Sequence, residues 1–226
     1  MELSELEPLS LFQNMNPEEI RQAADLLQAR TETISKNQII VHAGDQSQEL
    51  CVVLRGQANL EVNDYSGSRI ILGHIGPGQY FGLFHVIMGE PMLANAVSVA
   101  ESTVLFLNLR PLQQSRIYDA SWFRQLLVNL LMISARKGTA LAMRGVHVAP
   151  KKAQDRILSF LSSIAAETGN QEFTIPFDQQ QLADYLNLDR SVVSKELNRL
   201  KREGKLWFNR KLFILPSIEG SDTSLT

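Results

Sequence analysis

The chain has 226 residues, enough for two small domains or one large one, and is 44% hydrophobic and 20% charged, the make-up of an ordinary soluble globular protein. Its net charge of −2 favours no class of partner, while a single cysteine, Cys51, excludes an intrachain disulfide and any metal site built on several thiolates. No basic-then-apolar leader and no apolar run long enough to span a bilayer is legible, so a soluble cytoplasmic protein without a membrane partner is expected.

Asn16-Pro17-Glu18-Glu19 opens a short amphipathic helix with proline just inside its start and Ile20, Ala23, Ala24, Leu26 and Leu27 on its apolar side. From about Thr33 to Leu109 the texture changes to short β-type runs. They are 39–41, 50–54, 58–62, 70–72 and 104–107, separated by Ala43-Gly44-Asp45, Arg55-Gly56, Asn63-Asp64-Tyr65-Ser66-Gly67 and Gly76-Pro77-Gly78. Strands at this spacing with turn residues between them indicate a β-roll or barrel.

Trp122 to Met143 reads as one long helix. Leu127, Leu130, Ser134, Lys137 and Leu141 keep the 3-4 rhythm of a coiled-coil seam, with Leu126, Leu131 and Ile133 widening the apolar surface, which puts self-association ahead of packing on the chain's own barrel. Arg144 to Lys152, with Gly145 and Pro150, is read as a hinge. Beyond it come an amphipathic helix from Ala153 to Gly169, a short strand at Phe173-Thr174-Ile175, and a helix from Asp178 to Leu186 with Leu182, Ala183 and Leu186 inward.

Asn187 can take the left-handed backbone of a tight corner, and Asp189 is a good N-cap for the next helix. That helix buries Val193, Leu197 and Leu200 and turns Arg190, Ser191, Ser194, Lys195, Asn198 and Arg199 outward. A helix, a tight corner and a second helix with polar N-terminal residues is the geometry of a major-groove reader, in which arginine and lysine pair with guanine. Next, 206–208 and 212–214 flank Asn209-Arg210-Lys211, a hairpin with a basic tip able to meet phosphate. From Arg190 to Leu215 eight basic residues face two acidic ones, a local +6 that leaves −8 on the rest of the chain. That asymmetry is the footprint of a polyanion-binding module.

The whole run from about Leu9 to Leu215 resembles the cyclic-AMP receptor protein/fumarate-nitrate regulator (Crp/Fnr) family. The resemblance is carried by Gly44-Asp45, Gly56, the stretch Gly76-Pro77-Gly78-Gln79-Tyr80-Phe81-Gly82, the long helix and the winged segment, and by their order. It implies an α+β chain: an N-terminal cyclic-nucleotide-binding-type β-roll that senses an effector (1–116), a dimerisation helix and hinge (117–148), and a C-terminal winged helix-turn-helix (149–226). It also implies a homodimeric, non-enzymatic transcription regulator on a palindromic operator in double-stranded DNA, with RNA polymerase as a partner. Arg190, Ser191, Ser194, Lys195, Arg199, Arg210 and Lys211 are then the DNA-binding set. Ser191 stands where many members have a glutamate that accepts from cytosine, so a different operator is expected.

The effector region departs from the family. By alignment from Gly82, the glutamate and the Arg-Ser pair of a nucleotide-binding member are replaced by Leu83, Leu93 and Ala94, and the Thr-Ser pair that reads adenine by Leu141 and Ala142. A phosphate would be left without a partner, so cyclic AMP is not expected as the effector. The cysteine cluster of the oxygen-sensing branch is missing, which excludes an iron–sulfur cluster. The expected pocket is Leu83, Phe84, His85, Leu93, Ala94, Leu141 and Ala142. It suits haem held by His85 (with Met88, Met92, His74 or an N-terminal group as second ligand), a small apolar molecule, or no ligand. Two other classes stay in view: a cyclic-nucleotide-binding regulatory protein and a cupin-like β-roll enzyme. His42, His74, His85 and His147 show no metal-ligand spacing that would support the second.

Overall fold

The computed structural model describes residues 2–63, 65, 67, 69–114 and 120–216. Asp64 and Ser66 of the expected turn, and the expected boundary at 116, lie outside them. Two compact units emerge, Met1–Gly138 and Thr139–Thr226.

In the first unit, helix α1 (Leu3–Leu6), a 3-10 turn (Ser10–Phe12) and helix α2 (Pro17–Leu26) precede the strands. Asn16 caps α2 by accepting from the Glu18 and Glu19 amides at 3.0 Å, and Glu19 answers by accepting from the Asn16 amide. Then follow β1 (Arg30–Ile34), β2 (Ile39–Val41), β3 (Glu49–Arg55), β4 (Ala58–Asn63), β5 (Arg69–Ile75), β6 (Tyr80–Phe81), helix α3 (Leu83–Met88), β7 (Asn95–Ser98), β8 (Ser102–Asn108) and helix α4 (Arg110–Gln114). The strands form two antiparallel four-stranded sheets, ordered β1-β8-β3-β6 and β2-β7-β4-β5.

The period-2 rule explains why β3 and β8 are apolar without a break. Cys51, Val53, Val104 and Phe106 point into the core between the sheets, where they meet Val41, Ala58, Phe81, Met92 and Ala96. Their neighbours Leu50, Val52, Leu105 and Leu107 point the other way, into a second core with the N-terminal helices and with Phe123, Leu126, Leu130 and Ile133 of the long helix. A strand buried on both faces reads as a continuous hydrophobic run.

That long helix, α5 (Ser121–Val148), is longer than the sequence pattern indicates and absorbs Arg144 and Gly145 of the expected hinge. One helical glycine costs only about 1 kcal/mol, too little to stop a helix whose neighbours are anchored. By length and composition alone α5 is also apolar enough to cross a membrane, contrary to the expectation that no segment was. Arg136 and Lys137 interrupt its apolar run in the sequence, and in hydrocarbon each would cost about 3 kcal/mol.

The second unit continues with α6 (Ala153–Thr168), β9 (Glu172–Thr174), α7 (Gln179–Leu186), α8 (Arg190–Arg202), β10 (Trp207–Asn209) and β11 (Leu212–Ile214). Its core is Ile157, Phe160 and Leu161 of α6 against Leu182, Leu186, Val193, Leu197 and Phe213. The three strands pair antiparallel in the order β10-β11-β9.

Gly56 sits at the β3–β4 turn with φ +83°, a backbone that side chains avoid. A methyl group there would lie 2.6 Å from the Glu101 carbonyl and 2.7 Å from the Ser102 Cα. Gly56→Ala should therefore cost on the order of 2–4 kcal/mol, read as a lower urea midpoint at unchanged m-value. An unchanged midpoint would contradict the packing described.

Candidate nucleic-acid interface and effector region

The corner between α7 and α8 forms as its residues require. Asp178 caps α7, accepting from the Gln181 amide at 2.8 Å. Asn187 closes α7 in the left-handed conformation, φ 52° and ψ 54°. Asp189 occupies the N-cap position of α8 with extended backbone, but its side chain makes no capping hydrogen bond. Val193, Leu197 and Leu200 are buried, so the helix is rolled with Arg190, Ser191 and Lys195 exposed and Ser194 half-buried. Arg190, Ser191 and Lys195 have no intramolecular side-chain partner among the described residues.

The other cations are differently placed. Arg199 is turned back on its own unit: its Nε donates to Glu203 at 2.9 Å, Nη1 pairs with Glu196 at 3.2 Å, and Nη2 donates to Gln154 of α6. Glu203 also pairs with Lys205 at 2.8 Å, and Lys205 and Arg199 together hold its carboxyl below the usual carboxylate range. Lys201 lies over the Trp207 and Phe208 rings at 5.1 and 5.4 Å. Much of the local +6 is thus spent within the unit. In the wing, Trp207 pairs with Ile214 and Asn209 with Leu212, which leaves Arg210 and Lys211 as the exposed tip, Arg210 at φ 53°. Lys211 Nζ donates to the Pro176 carbonyl at 3.0 Å.

The residues expected to line an effector pocket are dispersed. Leu83 is 2% exposed inside the core shared with the long helix, Ala94 is buried, and Leu93 is 75% exposed. Phe84 and His85 are half-buried on α3, while Leu141 and Ala142 are exposed and belong to the second unit. A groove of about 680 Å³ in the first unit includes none of these seven; Val86, Ile87, Leu109, Leu127, Leu130 and Ser134 are among its walls.

The side chains expected to ligate haem lie in different surroundings. The buried Nδ1 of His85 has no hydrogen-bond partner among the described residues. His74 shares a 2.8 Å hydrogen bond with Asn59, Met92 is packed between the sheets, and Met88 is 64% exposed. Cys51 is buried, and burial pushes its thiol up from the ordinary value, which disfavours the reactive thiolate.

The seam expected on α5 is split. Leu130, 6% exposed, belongs to the first unit's own core, and Lys137 Nζ donates to the Tyr80 carbonyl at 2.6 Å. Ser134 donates to the Leu130 carbonyl. The open face is turned away from them: Leu127, Leu131 and Ala135 are exposed, then Gly138, Ala142 and Gly145, flanked by Val128, Met132 and Val146. Positions 131, 135, 138, 142 and 145 keep a 4-3-4-3 rhythm of their own.

Comparison with known proteins bears on these parts separately. A model of the cyclic nucleotide-binding domain matches residues 31–115, and one of the Crp-like helix-turn-helix domain matches residues 155–220. The chain belongs to the Crp/Fnr family. It is a transcription regulator with a DNA-binding helix-turn-helix, in a family of regulators rather than enzymes. It is 26% identical to the probable transcriptional regulator flp of Lacticaseibacillus casei, over 85% of each chain. Among solved structures it resembles FixK2 from Bradyrhizobium japonicum (TM-score 0.57, 20% identity, 84% of this chain and 93% of that one). It also resembles CprK complexed with OCPA (TM-score 0.65, 17% identity, 88% and 91%). Both likenesses speak for the fold.

Sequence reasoning passed over the groups at the end of α5. His147 is buried, shares a 2.9 Å hydrogen bond with the Tyr185 hydroxyl and meets Phe160 edge-on at 5.5 Å. A histidine in the last turn of a helix is stabilised as a cation by the helix dipole, yet burial wins here and moves its pKa down from 6.5. The unfolded chain therefore takes the proton first, and stability is lost as pH falls below about 6.5. Lowering the pH from 7.5 to 5 should reduce the thermal midpoint more in the parent than in His147→Gln. Equal losses would refute this.

Proposed function

We propose that this regulator is a homodimer that reads a palindromic operator with Arg190, Ser191, Ser194 and Lys195, under the control of an effector other than cyclic AMP. The observation that carries the DNA reading is the exposure of Arg190, Ser191 and Lys195, without side-chain partners among the described residues, at the N-terminal end of α8. That end of the second helix is the part that meets base edges in such modules. Arg210 and Lys211 at the wing tip contact phosphate, while Arg199 acts through Glu203 and Gln154 instead of on DNA. Such a protein works in the cytoplasm, where it meets RNA polymerase on DNA.

The open face of α5 supports dimerisation. A second copy of the same helix covers it along Leu127, Leu131, Ala135 and Gly138, whose small residues allow close approach, and two heads then meet half-sites roughly 34 Å apart. A small, largely apolar effector bound in the groove between α3 and α5 would share walls with that seam, since Leu127 and Leu131 line both. The polar groups a cyclic nucleotide needs are absent at Leu83, Leu93 and Ala94. CprK, of similar fold, was solved with OCPA bound, an analogy at the level of fold.

Selection of bound duplexes from a random library tests the reading head. Arg190→Ala and Lys195→Ala should each cost about 1–3 kcal/mol on the selected operator. If both bind it as the parent does, the recognition-helix reading is wrong.

Assembly is tested by paired variants. Leu131→Glu should give folded monomers with weakened operator binding, whereas Leu130→Glu should unfold the first unit, because it forces a charge into a core. Sedimentation and circular dichroism distinguish them; a Leu131→Glu protein that remains dimeric would refute the seam.

A further inference from the structure

The carboxyl end of an α-helix leaves its last carbonyls without intrahelical partners. For α7, the helix that leads into the corner of the reading head, every one of them is accounted for. The Ala183 carbonyl accepts from the Leu188 amide at 2.9 Å, as the left-handed Asn187 turns the chain back. The next four carbonyls are taken by two arginines. Arg144 donates from Nη2 to the Asp184 carbonyl at 2.9 Å and from Nε to the Tyr185 carbonyl at 2.8 Å. Arg156 donates from Nη1 to the Leu186 and Asn187 carbonyls, both at 3.1 Å.

These arginines stand on opposite sides of the α5–α6 linker, residues 149–152. Arg144 is in the closing turns of α5 and Arg156 in the first turn of α6. Arg156 also binds the linker, since its Nε donates to the Pro150 carbonyl at 2.8 Å. Between them, Tyr185 carries the Arg144 guanidinium over its ring at 5.6 Å and meets His147 through its hydroxyl. A third bond runs from Arg144 Nη2 to the Asn187 side-chain oxygen at 3.3 Å. The segment that composition marks as a hinge is therefore bonded at both ends to the helix it would have to swing against.

We propose that Arg144 and Arg156 are positioning residues for DNA reading, forming a two-sided clamp that holds the linker and the helix-turn-helix corner as one rigid piece. The proposal rests on the DNA-reading function above. Its physical basis is threefold. Cations at a helix carboxyl end are favoured by the dipole, each guanidinium fork bridges two carbonyls, and the clamped residues stand directly before α8. A shift of the end of α5 then reaches the corner, and with it the angle of Arg190 and Lys195, instead of being absorbed in a loose linker. Neither arginine touches DNA in this account.

Lysine keeps the charge at the helix end but cannot reproduce the fork, so Arg144→Lys and Arg156→Lys in the full-length protein separate positioning from stability. Each should bind a random duplex as the parent does, with the same salt dependence, and lose about tenfold or more on the selected operator. Equal discrimination in both variants and the parent would overturn the proposal. So would a parallel loss on random and selected DNA, which marks a merely structural role. Hydrogen exchange on the unmodified protein tests the clamp without DNA. The Asn187 and Leu188 amides should be protected as strongly as those of α8; exchange at open-loop rates overturns the clamp even if the variants do not fold. A parent that binds no DNA while these amides are protected would instead refute the reading of function.

Discussion

An apolar helix cannot be left open to water along most of its length, and α5 is buried on only one side. Leu126, Leu130 and Ile133 close the first unit's core, and their burial at about 1.5–3 kcal/mol each fixes the roll of the helix. Once that roll is fixed, Leu127, Leu131, Ala135 and Gly138 are left exposed among the described residues. Which face of the helix stays open is thus a consequence of how the roll packs. Length and apolarity would equally satisfy a bilayer, but the cations at the middle of the helix and the family to which the chain belongs favour protein as the cover.

The charge of the reading head follows a similar logic of commitment. Arg199, Lys201 and Lys205 tie α8 to α6, to Glu203 and to the wing, and so make the unit rigid at the expense of its outward charge. Arg190 and Lys195 near the start of α8, Arg202 at its end, and Arg210 and Lys211 at the wing tip remain exposed. Exposed pairs of this kind contribute little individually to stability. Their effect is to engage positive charge on the flank of the helix within the unit itself.

Leu83 is not a vacant ligand position but a core residue, and Met92 and Ala94 are buried as well. Open space is found instead on the outer side of α3, against the long helix. A ligand there would bear on the helix side chains directly.

Local rules made much of this protein legible in its sequence. Period-2 runs marked the roll, Asn187 announced the corner, and Val193, Leu197 and Leu200 fixed which side of α8 faces out, because these depend on residues a few positions apart. The order of roll, long helix and winged segment pointed to the family for the same reason. Tertiary structure alone decided the rest. A 3-4 pattern on α5 could not tell the stripe spent on the chain's own core from the stripe left open, since both are apolar and only packing against β3 and β8 distinguishes them. Counting basic residues could not separate Lys195, which has no side-chain partner among the described residues, from Arg199, which has three. Nor could composition reveal that a segment with glycine and proline is clamped, because the carbonyls that hold Arg144 and Arg156 lie 30 or more positions away in the chain.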